Sequence, residues 1–144
     1  MWGTIIALLS GMLMSIQGIF NTAITKETSL WVCTGWVQLT AFVVCVFMWF
    51  VTGRQAVGGL FAIDSKYMLF TGVMGALITI TVVKSMASLG PAGASMLIVI
   101  AQIGMSYAVE LLGIFGAEKQ PFMWRKVIGL VIAAAGIVLF QWKK

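Results

Sequence analysis

The sequence predicts an all-α integral membrane protein with five transmembrane helices per protomer, paired as an antiparallel, dual-topology homodimer. Three observations lead to this fold class: an apolar composition, five apolar runs of membrane-spanning length, and a nearly even distribution of basic residues between the two ends of those runs. Of the 144 residues, 61% are hydrophobic and only 9% are charged, whereas soluble domains are roughly 25% charged. A soluble chain this short could not bury so much apolar surface.

The five runs are long enough to cross a bilayer, because a span of about 20 apolar residues covers a hydrocarbon core of ~30 Å. They predict helices over about 2–25, 30–52, 67–87, 92–115 and 126–142, which form a single transmembrane domain, residues 1–144. Helices are favoured over barrel strands because the runs are uniformly apolar and do not alternate with a period of two. Most tryptophans lie near the predicted helix ends, where membrane interfaces concentrate aromatic rings.

An odd number of spans places the two termini on opposite faces of the membrane, which assigns each basic residue to a face. The N-terminal face carries Arg54, Lys66, Lys119, Arg125 and Lys126, and the C-terminal face carries Lys26, Lys143, Lys144 and, if its side chain reaches that interface, Lys84. The positive-inside rule requires a clear excess on one face, and none is present. Either the protein has one topology with a weak bias, or copies insert both ways and pair antiparallel, which would produce the inverted repeats of many transporters.

Two amides lie within the first predicted span. Gln17 and Asn21 are four residues apart and therefore share one helix face. Unpaired amides in lipid cost several kcal/mol each, so these side chains must face other helices or a wet cavity. Two roles stay open for them: hydrogen bonds between helices, or the lining of a substrate site.

A second polar set lies in the fourth predicted span. Gln102, Ser106 and Glu110 advance by four residues along one stripe, and Tyr107 lies beside it. A carboxylate at membrane depth is by default a functional hypothesis, here for proton or cation coupling; the alternative is a solvated side chain at headgroup level. Lys84 is predicted to extend to the interface, with a counter-charge to Glu110 from the opposite protomer as the second reading.

The remaining candidates are aromatic and small residues. Trp36 and Tyr107 lie inside their spans rather than at the ends, as walls of a substrate cavity or as packing. Small residues that let helices approach closely are predicted at Gly72, Gly129, Ala133 and Gly136. Cys33 and Cys45 are predicted to behave as small apolar residues.

Several function classes are disfavoured. The sequence has no histidine and no cysteine cluster with metal spacing, so no metal or other cofactor is expected. The net charge of +5 comes from basic residues scattered at the ends of apolar runs, so no nucleic-acid partner is expected. No enzymatic activity is expected, because no nucleophile–base pair is visible in the sequence.

The order of several segments resembles the YdcZ-type branch of the drug/metabolite transporter superfamily. These segments are "SIQGIFNTAITK", "GVMGALI", "ASLGPAGASMLIVIAQI", "VELLGIFG" and "RKVIGLVIAAAGIVL". The resemblance places Gln17, Asn21, Gln102 and Gly113 on the family's polar and glycine positions, and Glu110 where the family usually has Asp. It implies antiparallel pairs of five-helix units and kinship with the small multidrug resistance exporters, without naming a substrate.

The sequence therefore predicts a multi-pass protein of the bacterial inner membrane that transports a small molecule by alternating access across the dimer. Gln17, Asn21, Trp36, Gln102 and Tyr107 are the predicted cavity residues. Its expected partners are a second copy, the lipid bilayer and a substrate of unknown identity. A passive channel and an accessory membrane subunit without transport activity remain the alternatives.

Overall fold

The computed structural model describes residues 1–142, and their regular structure is entirely helical. The elements are α1 (Trp2–Glu27), α2 (Leu30–Val51), two 3-10 helices (Val57–Ala62 and Lys66–Phe70), α3 (Thr71–Leu112) and α4 (Trp124–Gln141). Four helical stretches are long and apolar enough to cross a membrane, and no strand occurs within residues 1–142. The all-α membrane class predicted from the sequence is confirmed.

The chain forms two compact units, Met1–Ser88 and Leu89–Lys144. In the first unit, α1 and α2 are joined by two residues. Lys26 lies in the last turn of α1, where a cation favours the helix dipole. Ser29 caps α2, because its hydroxyl oxygen accepts a hydrogen bond from the Val32 backbone N–H at 3.2 Å. These local signals let the chain reverse between two long apolar helices.

The first unit packs tightly around Gly18 of α1. A Cβ built on Gly18 would lie 2.5 Å from Cε and 2.7 Å from Sδ of Met86, and 3.2 Å from Cγ1 of Val82. Met86 and Val83 are buried, as is Cys33 of α2. The Cys33 thiol donates a hydrogen bond to the Asn21 carbonyl at 3.3 Å. The closest helix approach in this unit therefore occurs at Gly18, which was not among the small residues predicted to allow close packing.

This packing gives a stability prediction. Gly18→Ala is expected to destabilise the protein by about 1–3 kcal/mol, because the buried end of Met86 must move to admit the methyl group. Gly11→Ala is the matched control, since a Cβ on Gly11 of the same helix meets no atom within 4 Å. Unfolding in mixed micelles would measure both, and equal stability of the two variants would contradict the packing argument.

Helix α3 is interrupted at Gly90, whose φ of 76° and ψ of 160° are not helical. This region of backbone space is essentially restricted to glycine. Pro91 follows, and a proline lacks the N–H for a helical hydrogen bond and disfavours the α conformation in the residue before it. The break coincides with the connection predicted between the helices over 67–87 and 92–115.

Both outer ends of α3 differ from the predicted bounds. Residues Lys66–Phe70 form a 3-10 helix, so the α-helix begins at Thr71. At the other end, Gly113 (φ 63°) and Phe115 (φ 57°) adopt positive φ, and the helix ends at Leu112 rather than at 115. A left-handed residue after a helix is a common termination, and glycine takes it without steric cost. Glu110 therefore lies two residues from the helix end.

In the second unit, residues 91–112 of α3 and helix α4 form an antiparallel hairpin. At one end the Gln141 side-chain amide donates to the Gly93 carbonyl at 3.3 Å. At the other end Tyr107 hydrogen-bonds Met123, the residue that precedes α4. Hydrogen bonds thus connect the two helices at both ends of the hairpin.

Candidate functional site

The polar stripe of α3 lines a groove of about 450 Å³ in the second unit. The residues that line it are Gln102, Ile103, Ser106, Tyr107 and Glu110 from α3, and Lys126, Gly129, Leu130 and Ala133 from α4. The α4 residues recur at helical spacing on one face, and two of them are small. The groove exists because Gly129 and Ala133 leave space opposite the longer polar side chains. We call this space the α3–α4 groove.

One mouth of the α3–α4 groove carries an ion pair. The Lys126 ammonium donates a hydrogen bond to Oε2 of Glu110 at 2.7 Å, and 42% of the surface of each side chain is exposed. Glu110 thus lines the groove at a half-exposed end, and its predicted coupling role and its alternative as a solvated side chain at headgroup level both stay predictions. Exposed pairs of this kind contribute little to stability. The pair is therefore free to rearrange at small cost.

Tyr107 fixes the start of α4 beside this pair. Its hydroxyl accepts a hydrogen bond from the Met123 backbone N–H at 2.9 Å and donates one to the Met123 carbonyl at 3.3 Å. The Lys126 ammonium lies 5.2 Å from the centroid of the tyrosine ring, within the range of a cation–π contact. Because the hydroxyl is hydrogen-bonded to the Met123 backbone, the face of the ring is the part of Tyr107 that is available to a group in the groove.

The loop between the two helices closes over the same end. The Gln120 backbone N–H donates to the Glu110 carbonyl at 2.9 Å, and the Gly113 N–H donates to the Val109 carbonyl at 2.9 Å. A Cβ on Gly113 would lie 2.9 Å from Cβ of Lys119. Glycine at this position lets the chain turn back, so that Lys126 reaches Glu110.

The other predicted cavity amides lie in the first unit. Asn21 is buried, with 6% of its surface exposed, whereas Gln17 is exposed. Four residues beyond Asn21, the Thr25 hydroxyl is buried and has no hydrogen-bond partner in the part of the chain that the structure describes. One face of α1 thus presents polar groups to the interior of its unit, and Gln17 extends that face to the surface.

Trp36 lies on the surface of the first unit, and neither of these amides lines the groove that it borders. Its side chain is 58% exposed and lines a second groove of about 490 Å³ with residues of both α1 and α2, among them Ile24, Trp31 and Leu39. The Trp36 groove is almost wholly apolar and lies near the turn between the helices. The structure thus brings Gln102, Tyr107 and Glu110 together, whereas Trp36 borders a separate groove.

The remaining predicted positions are Lys84 and the packing glycines, which are exposed or have open space beside them in the described chain. Lys84 is exposed, and the described partner of Glu110 is Lys126 rather than Lys84. A Cβ added to Gly72, Gly129 or Gly136 would meet no atom within 4 Å. The helix packing predicted at Gly72, Gly129, Ala133 and Gly136 stays a prediction, as does the role of Lys84 as a counter-charge to Glu110 of the opposite protomer.

Comparison with known families identifies the family to which the chain belongs. The sequence model of one family, described as "Putative inner membrane exporter, YdcZ", matches residues 2–139. The chain belongs to the YdcZ family. The matched stretch includes every residue of the α3–α4 groove, so the groove is part of the YdcZ domain itself.

This membership confirms the family resemblance and the inner-membrane location predicted from the sequence. It also agrees with a transporter, since the YdcZ family is described by export rather than by an enzymatic reaction. No curated protein and no solved structure matches the chain. The family description gives export as the class of activity and names no ligand. The chemistry of the groove residues is therefore the basis for inferring what kind of ligand is bound.

Sequence reasoning missed Lys126 as a site residue of this YdcZ domain. It was assigned to the membrane face only by charge, because it lies at the start of a predicted span. Its pairing with Glu110 depends on the turn over residues 113–123. The available signal was the helical spacing of Lys126, Gly129 and Ala133, which places the ammonium on the same face as the small residues.

Proposed function

We propose that the protein is a secondary active transporter for a small molecule, and that it works by alternating access as an antiparallel homodimer. The observation that carries the proposal is the α3–α4 groove, in which Gln102, Ser106 and Glu110 form a continuous polar stripe between apolar helices. Polar groups at membrane depth are costly unless they contact other protein groups, water or a ligand. Export as the family activity supports the same reading.

Five spans per copy are part of this proposal. Helix α3 has 42 residues, which at 1.5 Å per residue is about 63 Å, twice the thickness of a hydrocarbon core. The break at Gly90 divides it into segments 71–89 and 91–112, each about 30 Å long. Each segment matches one crossing. Two crossings by α3, with one each by α1, α2 and α4, would place the termini on opposite faces.

A second copy completes the transport path. Gln17 and Gln102 are exposed in the single chain, and an amide exposed to acyl chains would lack partners at a cost of several kcal/mol. A second copy would cover these amides, and Gly72 and Gly136 would allow its helices to approach closely. Antiparallel pairing would also relate the two copies as inverted repeats, the arrangement that alternating access uses in many transporters.

The groove itself can be tested by filling it. Ala133→Leu is expected to weaken ligand binding and transport by about 5- to 150-fold, the range that corresponds to an overpacking cost of about 1–3 kcal/mol. Ala135→Leu is the matched control, as Ala135 is an exposed residue of the same helix and does not line the groove. Equal transport by both variants would show that the groove is not the substrate path.

Transport is measured with purified protein in proteoliposomes that carry a pH gradient and an internal pH dye. A panel of amines, amino acids, sugars and nucleosides is added one compound at a time. The expected result is saturable proton movement with at least one compound, absent from empty liposomes. Flux that never saturates would identify a passive channel, and wild-type cellular function in a Gln17→Leu, Gln102→Leu double variant would identify an accessory subunit.

A further inference from the structure

The mouth of the α3–α4 groove holds an ammonium group between a carboxylate and an aromatic ring. A carboxylate oxygen lies 2.7 Å from the Lys126 ammonium, and the face of the Tyr107 ring lies 5.2 Å from it. A carboxylate and an aromatic face together provide the charge-assisted hydrogen bond and the cation–π contact by which proteins recognise amines. In the described structure the occupant of this site is the chain's own lysine side chain.

We propose that the groove binds a primary alkylammonium ligand, which displaces the Lys126 ammonium from Glu110. Without the ligand, Lys126 occupies the same site, and it therefore competes with the ligand for Glu110. This inference rests on the proposed function and adds the chemical class of the substrate. The lysine side chain beyond Cα is an n-butylammonium group, so its contacts with Glu110 and Tyr107 are those that such a ligand would replace. The displaced ammonium would turn to solvent, which its flexible stem allows.

Two features make the displacement inexpensive. Both members of the Glu110–Lys126 pair are 42% exposed, and exposed pairs are weak because water screens them. Lys126 also lies in the first turn of α4, which contains no acidic residue. A cation at a helix N-terminus is disfavoured by the helix dipole. Lys126 is therefore held in the site mainly by Glu110 and Tyr107, the two groups a ligand would take over.

The rest of the groove suits the body of such a ligand. Ile103 and Leu130 provide apolar walls, and Gln102 and Ser106 continue the polar stripe away from Glu110. The alkyl chain of a bound amine would lie along the space left by Gly129 and Ala133. One end of the groove thus selects the charge, and its length accommodates the carbon chain and a further polar group.

The experiment uses n-butylammonium as the probe and the full chain in lipid nanodiscs, with binding measured by calorimetry. Lys126→Met is expected to tighten binding by about two- to fivefold, the factor expected when a weak exposed ion pair no longer competes. Arg125→Met is the matched control, because it removes an equal charge from the adjacent position and Arg125 does not line the groove. Glu110→Gln should abolish binding in either background, and 1-butanol should not compete.

Binding to Lys126→Met that is equal to or weaker than wild type would overturn the proposal. So would equal tightening in Arg125→Met, or competition by 1-butanol. The Ala133→Leu transport assay separates this inference from the proposed function. Loss of transport in Ala133→Leu without any n-butylammonium binding would leave the transporter assignment in place and exclude the amine. Normal transport in Ala133→Leu would reject the groove as the path even if the amine binds.

Discussion

Reporters fused to the C-terminus are expected on both faces of the inner membrane in comparable amounts. The reason is the nearly even distribution of basic residues over the two faces that five spans define, with Arg54, Lys66, Lys119, Arg125 and Lys126 opposite Lys26, Lys84 and the terminal pair Lys143 and Lys144. The terminal pair lies outside the residues that the structure describes. Orientation follows the excess of Lys and Arg in short loops, and a small excess cannot select one orientation.

The measurement pairs a fusion to alkaline phosphatase, which is active outside the cytoplasm, with a fusion to a fluorescent protein that matures only inside it. Wild type should give both signals. Adding positive charge to the N-terminal face with Gln55→Lys and Gln120→Lys should retain only the phosphatase signal. Adding it to the opposite face with Glu27→Lys and Ser88→Lys should retain only fluorescence.

The two double variants control for each other, because they add the same number of lysines to opposite faces. The carboxylate that Glu27→Lys also removes should matter little, since acidic residues contribute little to orientation. All four positions are exposed, so the substitutions do not disturb packing within the chain. A wild-type protein with a single orientation would rule out the dual-topology homodimer. Co-expression of the two oppositely fixed variants should restore transport that each variant lacks alone, which is the functional consequence of antiparallel pairing.

The helices were predictable because long apolar runs in lipid have few alternatives. A membrane-spanning segment must satisfy its backbone hydrogen bonds internally, so hydropathy alone determines that α1, α2 and α4 are helices. The interruption of α3 was also predictable, because Gly90 and Pro91 both disfavour a continuous helix at that point. The outer ends of α3 were not, since the 3-10 helix Lys66–Phe70 and the turn at Gly113 depend on local backbone geometry.

The site was predictable only in part. The stripe of Gln102, Ser106 and Glu110 follows from helical spacing, but its neighbours come from α4 and depend on how the chain reverses. The close contact at Gly18 was missed for the same reason: it forms with Met86, far along the chain. Spacing within one helix is a local property, whereas a groove or a packed interface requires the positions of two helices relative to each other.

Glu110→Gln is expected to abolish pH-driven transport while leaving the protein folded. A carboxylate can take up and release a proton, and the amide that replaces it cannot, although its size and shape are nearly the same. The Glu110–Lys126 pair is half exposed, so its loss should change the stability little. Proton movement in proteoliposomes should therefore fall to the level of empty liposomes, with an unchanged midpoint of thermal unfolding.

Glu118→Gln is the matched control, because Glu118 is an exposed residue of the loop and does not line the groove. Glu110→Asp tests whether coupling requires the carboxylate group or the full length of the side chain, because Asp retains the carboxylate on a side chain one methylene shorter. This variant is expected to keep the pH dependence of transport with an altered affinity for the substrate. Unchanged proton movement in Glu110→Gln would show that Glu110 is a solvated side chain at the helix end and has no role in coupling. Loss of movement in both Glu110→Gln and Glu118→Gln would point to a general effect of loop charge instead of a coupling site in the groove.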